Sequence, residues 1–355
     1  MKRLGFLLSL VLPLTALIGF VAGRWLGMPT MAAWLPVFVS FVILPTVDAL
    51  VGTDENNPSE QEVPDLLADA YYKYLTLAVV PLQFVSLAVC GFAFVSVEGG
   101  LVGQLGYLIS AGVISGSTAI TTAHELIHKP SRIEQWAGGL LLSTVCYASF
   151  KPEHLFGHHR HVATPEDGST ALKDETVYRF MWRALRDNPR RGYRLAAERV
   201  ARRGHSAWSW RNEMVWWTVF SVAFAGLATT LGGMLGFVFF VIQSLVAIGL
   251  LEIINYVEHY GLMRQKDGQG RYERISPKHS WNANHLMTNL FLFQLQRHSD
   301  HHANGSRRYQ ALRHFDESPQ LPFGYATAVM VALLPPLWFA VMNPRLGRHA
   351  STTSA

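Results

Sequence analysis

Six stretches of this chain are apolar almost without interruption, at roughly 4–23, 34–52, 75–97, 102–124, 214–231 and 234–257. Each is close to or above the roughly 20 residues that carry a helix across a bilayer. The pattern therefore predicts an all-α integral membrane protein with about six transmembrane helices. The first stretch follows Met1-Lys2-Arg3 and could pass for a secretory leader. Its apolar run is longer than the usual ~7–15 residues and further spans follow, so it reads as a retained helix. Residues 53–65 (TDENNPSEQEVPD) form an acidic, turn-rich connector, and the residues after Arg348 read as a tail without fixed structure. With no internal repeat, residues 1–355 form one domain.

Composition agrees with this picture. Half of the residues are apolar and only 15% are charged, where a soluble domain carries about 25%. Lysine and arginine then orient the spans. The segment 129–213 holds about fifteen of them, whereas the turns near 24–33, 98–101 and 232–233 hold almost none beyond Arg24. By the positive-inside rule the basic segment faces the cytoplasm, as do both termini. No aromatic-interleaved motif accompanies it, so a nucleic-acid partner is excluded. The two cysteines, Cys90 and Cys146, lie far apart in apolar runs. They make neither a disulfide framework nor a rubredoxin-like or zinc-ribbon site.

Candidate chemistry comes from the histidines. Nine of the fifteen fall into four groups: His124 and His128; His154, His158 and His159; His259; and His298, His301 and His302. Spacings of three and four residues put imidazoles on one face of a helix, so each multiple group can offer two or three nitrogens to one small volume. His124 and His128 end the fourth predicted span and His259 ends the sixth, while the other two groups lie in the cytoplasmic segments 125–213 and 258–322, so all nine fall on one side of the membrane. His161, His205, His279, His285, His314 and His349 lack this patterning.

Nine imidazoles exceed the needs of one tetrahedral zinc and suit two metal ions with open positions. Imidazole itself accepts zinc, copper, iron or nickel. Glu125, Glu153, Glu258 and Asp300 each adjoin one of these histidines in sequence and are candidates to hold the far ring nitrogen. If residues 133–150 crossed the membrane once, His128 and His154 would face opposite sides, so this apolar stretch is placed in the interface or as a re-entrant pair. Residues 324–342 contain Pro335-Pro336, which suggests a bent interfacial helix.

His124–His128, Glu153–His159 continuing through Val162-Ala163-Thr164-Pro165-Glu166-Asp167, Asn255–Gly261, and Leu295-Gln296-Arg297-His298-Ser299-Asp300-His301-His302 followed by Arg307-Arg308-Tyr309-Gln310 resemble the membrane alkane 1-monooxygenases. Xylene monooxygenases and membrane desaturases share a looser form of the pattern. The resemblance covers the chain from about the third span to Gln310. It implies O2-dependent terminal hydroxylation of medium- to long-chain n-alkanes to 1-alkanols in the bacterial cytoplasmic (inner) membrane. It also implies two non-haem iron ions held by the nine histidines, and electrons from a separate rubredoxin with its reductase. Rubredoxins are acidic, so the basic surface is a plausible dock. The chain departs from the family at Asn304-Gly305-Ser306, where proline and threonine are more frequent, a difference that bears on a loop and not on the ligands.

Other readings remain. His124-Glu125-Leu126-Ile127-His128 matches the His-Glu-x-x-His of zinc proteases, in which the glutamate is the base. Histidines can also line a metal-transport path, although such sites lie near the bilayer midplane. Within the oxygenases, a desaturase or an arene-methyl hydroxylase uses the same kind of histidine pattern.

Overall fold

A long apolar segment has no water to satisfy its peptide groups in a bilayer, and a helix pairs each of them within the segment. The computed structural model, which describes residues 2–353, follows that rule: the described residues contain no strand, only three isolated bridges. Four helices are long and apolar enough to cross a membrane. They are α1 (Lys2–Trp25), α3 (Val63–Val95), α4 (Gly100–Ile127) and α8 (Glu213–His259). A shorter apolar helix, α2 (Leu35–Val51), follows α1. In α3, Asp69 is extended and caps the part that follows by accepting from the Tyr71 N–H at 2.9 Å.

The fourth of these helices is a hairpin. Gly233 adopts φ 59°, ψ −148°, a conformation that a side chain would strongly disfavour. The chain reverses there, and a methyl group on Gly236 would overlap the carbonyl oxygen of Ala228. Two arms thus cover the two apolar runs that the sequence separates at 232–233.

Side-chain polarity ties the bundle together near the histidines. Gln83 of α3 donates to Ser115 of α4 at 2.8 Å, and Ser115 donates to Gln243 of α8 at 3.0 Å. Gln243 in turn reaches the Thr144 carbonyl at 3.0 Å. Buried polar groups of this kind are tolerated because they find partners. At Ser115–Ile120 the helix α4 widens into a π turn just before it delivers its two histidines.

The remaining helices build the end of the molecule that holds the histidines: α5 (Arg132–Ser143), α6 (150–161), α7 (Val177–Ala201), α9 (Leu286–Phe291), α10 (His298–Ala303), α11 (Tyr325–Ala332) and α12 (Pro335–Thr353). The apolar stretch 133–150 is thus a twelve-residue helix followed by turns, with Cys146 at φ 55°. It lies against α4, where Gly138 packs on Ile127. The stretch 324–342 is two helices with a break before Pro335, which begins α12. Helix α12 runs to Thr353, past Arg348, where the sequence suggested a tail.

Candidate metal centre

The nine patterned histidines come together from four chain segments. His124 and His128 lie at the end of α4, and His154, His158 and His159 on α6. His259 ends α8, and His298, His301 and His302 lie on α10. Seven are buried, and His128 and His159 are half-buried. His161 stays outside, 3.7 Å from Glu166, and His279 pairs with Glu273 at 3.3 Å.

The donor nitrogens sort into two groups. His124, His128, His154 and His301 form one, and His158, His259, His298 and His302 the other, each with its donor atoms within 4.8 Å of one another. His159 joins the first, with Nε2 3.1 Å from that of His154 and 3.0 Å from that of His301. The groups adjoin, since the His159 and His302 ring centroids lie 4.6 Å apart.

Sequence spacing does not say which group a histidine enters. His124 and His128 stay together, as do His298 and His302, but His154 and His158 separate and His301 leaves its neighbours. This corrects the expectation that each group in sequence serves one volume. Residues 154–158 form a π turn, in which positions five apart align, so His154 meets His159 and His158 turns to the other group.

The nitrogens fit cations better than they fit one another. Nε2 separations are 2.9 Å for His128–His154, 3.1 Å for His158–His302, 2.9 Å for His302–His298 and 3.2 Å for His298–His259. His154, His159, His298 and His302 each face two such neighbours. One ring nitrogen carries at most one proton, so hydrogen bonds cannot satisfy all of these contacts. His124 Nε2 is buried with no hydrogen-bond partner among the described residues. At a metal–nitrogen distance of about 2.0–2.1 Å, ligands at right angles lie about 3.0 Å apart and tetrahedral ones about 3.4 Å. The observed spacing favours sites with more than four positions.

The far ring nitrogens and the acidic residues depart from simple adjacency. Glu125 pairs with Lys129 at 2.9 Å and accepts from the Tyr309 N–H at 3.3 Å, and touches no imidazole through a hydrogen bond. Asp300 is taken by Arg307 at 2.6 Å and by the Arg313 N–H at 2.8 Å. Glu153 Oε1 lies 3.7 Å from Arg191 Nη1 and, though buried, has no hydrogen-bond partner among the described residues. Burial, with the charge of Asp167, pushes the Glu153 carboxyl up to about 8. Only Glu258 reaches a histidine, with Oε2 3.2 Å from His298 Nε2, the nitrogen that faces the group. It stands among the donors rather than behind them.

The carboxylate behind an imidazole is Asp167. Its Oδ2 lies 2.9 Å from His158 Nδ1 and accepts from Thr170 Oγ1 at 2.6 Å, while Oδ1 accepts from the Ser169 N–H at 3.1 Å. Burial pulls the His158 imidazole down, but the charge and hydrogen bond of Asp167 outweigh it and raise it. Burial alone would raise Asp167, and His158 with Thr170 brings it well below the usual carboxylate range. The arrangement fixes the proton on Nδ1 and turns Nε2 toward the group.

Charged residues fasten the histidine-bearing segments to each other. Lys129, 1% exposed, spans from Glu125 to the Arg307 carbonyl at 2.9 Å. Arg308 makes a two-point contact with Glu134 of α5 at 2.8 and 3.1 Å. Arg297, next to His298, donates to the carbonyls of Asp54, Asn56 and Leu312 at 2.7–3.1 Å, so the 53–65 connector is tied directly under α10. Arg183 of α7 holds the Gly168 and Thr170 carbonyls at 2.9 and 3.0 Å and so steadies the loop that carries Asp167. Gly192 of α7 lets that helix approach the Ser149 carbonyl, where a methyl group would overlap. At the departure 304–306, Gly305 lies directly against His159 and His128, with 3.2 and 3.5 Å left for a Cβ.

An apolar cavity of about 60 Å³ lies beside the first group, lined by residues of α1, α2, α4, α8 and α11 and of the stretch 291–295. Three of its wall residues, Thr121, Leu292 and Leu295, also line a small crevice bordered by His124 and His301. The site therefore joins a nitrogen-rich end to a chamber that offers little but hydrocarbon surface.

Residues 100–332 match the model of the family described as fatty acid desaturase. The chain is 48% identical over 352 residues to alkane 1-monooxygenase 2 of Pseudomonas aeruginosa, covering 98% of this chain and 92% of that protein. It is 46% identical over 349 residues to alkane 1-monooxygenase 2 of Alcanivorax borkumensis, covering 98% and 91%. A more distant relative is the xylene/toluene monooxygenase hydroxylase component of Pseudomonas putida, 29% identical over 357 residues with 98% and 89% covered.

Proposed function

This chain belongs to the alkane 1-monooxygenase family, and on that premise we propose that it hydroxylates the terminal carbon of medium- to long-chain n-alkanes. The reaction joins the alkane, O2, two electrons and two protons to give a 1-alkanol and water. In this reading His124, His128, His154, His159 and His301 hold one iron ion, and His158, His259, His298 and His302 hold the other, with Glu258 beside the second. Bound iron would activate O2, the oxidant that an unactivated C–H bond demands.

The chain's own part is positional. An alkane has no polar group to grip, so it can be oriented only by the shape of an apolar cavity. The cavity that meets His124 and His301 at Thr121, Leu292 and Leu295 is suited to present a narrow chain end and to keep water away. Asp167 and the buried ion pairs hold the imidazoles in one orientation before any substrate arrives. The observation that carries the proposal is this junction of close-packed, buried Nε2 atoms with an apolar chamber.

Electrons then come from a separate rubredoxin. The exposed arginines of α7, among them Arg190 and Arg194, offer an acidic protein a face on the side read as cytoplasmic. The protein would reside in the inner membrane with both termini in the cytoplasm. The zinc-protease reading requires Glu125 as a free base, and that carboxylate is engaged by Lys129. The relative acting on xylene and toluene keeps an arene methyl group as the alternative substrate.

The test uses protein purified with its iron content measured, supplied with O2, rubredoxin, reductase and NADH. n-Dodecane should give 1-dodecanol faster than p-xylene gives its methyl alcohol. Iron-loaded protein that oxidises neither, or that prefers p-xylene or forms an alkene, would overturn the assignment.

A further inference from the structure

A second apolar hollow opens on the outside of the bundle. It measures about 480 Å³ and lies between the second arm of α8, the start of α7 and helix α11. No lining residue carries a polar side chain. Its rim includes Leu245 of the membrane-spanning α8, 54% exposed, where the mouth faces hydrocarbon, and Met330 of the short helix α11, 36% exposed.

The groove is not isolated. Phe41, Leu250 and Val329 line both it and the inner cavity, so these side chains are a shared partition. The inner cavity shares Thr121, Leu292 and Leu295 with the crevice at His124 and His301. Three hollows thus stand in series from the outer surface to the first histidine group. The floor of the outer one is Gly249, where an added Cβ would meet only the Met181 Cε, at 3.4 Å. A glycine inside a helix is disfavoured relative to alanine, and here it leaves space that a larger residue would fill.

We propose that this groove is a lateral portal through which the alkane passes from the bilayer into the inner cavity, with Gly249 as its floor and Phe41, Leu250 and Val329 as its inner gate. The inference rests on the alkane reading above. The occupant follows from continuity with the inner cavity and from the absence of any polar group that a lipid headgroup or a charged partner could use. Because the partition consists of side chains that can change rotamer, the chain can pass one methylene at a time without moving a helix.

The experiment compares wild type, Gly249→Phe and Met330→Trp in lipid nanodiscs, with n-dodecane as substrate. Leu227→Trp, on the first arm of α8 and outside the groove, controls for a bulky change on the lipid-facing surface. Iron content and thermal midpoint are recorded for each. Both groove variants should lose roughly tenfold or more in kcat/KM, with a smaller change in kcat and unchanged iron, whereas Leu227→Trp stays near wild type. If Gly249→Phe does not load iron, Met330→Trp decides alone, since its side chain already projects from the rim. Wild-type kcat/KM in a groove variant that binds iron would overturn the portal and leave the groove to a lipid chain or a neighbouring protein. An equal loss in Leu227→Trp would overturn it too. Failure of the wild type itself to oxidise n-dodecane would instead refute the alkane reading.

Discussion

In an Asp167→Asn variant the side chain keeps its shape and loses its charge. Asp167 is 2% exposed, and its Oδ2 serves both His158 Nδ1 and Thr170 Oγ1. The amide oxygen can replace only one oxygen of the carboxylate, and its NH2 must then face groups that the carboxylate satisfied as an acceptor. A hydrogen bond to a charged group contributes about 1.5–3 kcal/mol against about 1 for a neutral one, so the loss is of order 1–2 kcal/mol. That corresponds to roughly five- to thirtyfold in metal affinity, overlapping the lower part of the general range of about 10–100-fold for a carboxylate behind a liganding imidazole. The burden falls on the group that contains His158. Competition with a graded series of chelators should show weaker retention of iron, and hydroxylation should fall in step with iron content. The KM for alkane should not move, because Asp167 lines none of the apolar cavity. Iron retention equal to wild type, with full turnover, would refute the claim that Asp167 orients His158.

Three further outcomes follow from the same contacts. Glu125→Gln leaves the buried Lys129 ammonium without its carboxylate, a loss of about 3–5 kcal/mol; pairing it with Lys129→Met should restore the thermal midpoint and the turnover per iron, whereas a catalytic base could not be rescued this way. Gly192→Ala drives a methyl group into the Ser149 carbonyl and should cost about 1–3 kcal/mol and displace α6, seen as lower iron content; unchanged stability and iron would sink this. The metal-free protein should be acid-labile. Burial and mutual repulsion hold His128, His154, His159, His298, His301 and His302 well below the ordinary imidazole range. Below about pH 6.5 the unfolded chain therefore takes up protons that the folded chain refuses, at up to ~1.4 kcal/mol per pH unit for each imidazole. The thermal midpoint of stripped protein should drop steeply between about pH 7 and about pH 5.5, and a flat profile would contradict the shifts.

Much of this was legible in the chain because helix periodicity is simple. Apolar runs of span length became helices, and the glycine pair at 232–233 became the reversal of α8. The nine ligand candidates stood out because unpaired imidazoles near a membrane interior have few other uses. What failed was reasoning by adjacency. Neighbours on a helix point about 100° apart, so Glu125 beside His124, and Asp300 beside His301, aim at Lys129 and Arg307. Asp167 was visible only as the end of a motif, and its role behind His158 was hidden because it sits in a loop nine residues further on, where no spacing rule reaches. The division of the histidines was equally hidden, since a π turn cannot be read from residue types.

That division has a consequence for how metal ions would be taken up. Helix α6 gives His154 and His159 to one side and His158 to the other, and α10 gives His301 to one and His298 with His302 to the other. An ion captured by either set freezes backbone that the vacant set also needs, and so lowers the entropy that remains to be lost. If each set takes an ion, occupancy is coupled through the chain itself, and half-filled protein is the species this architecture would disfavour.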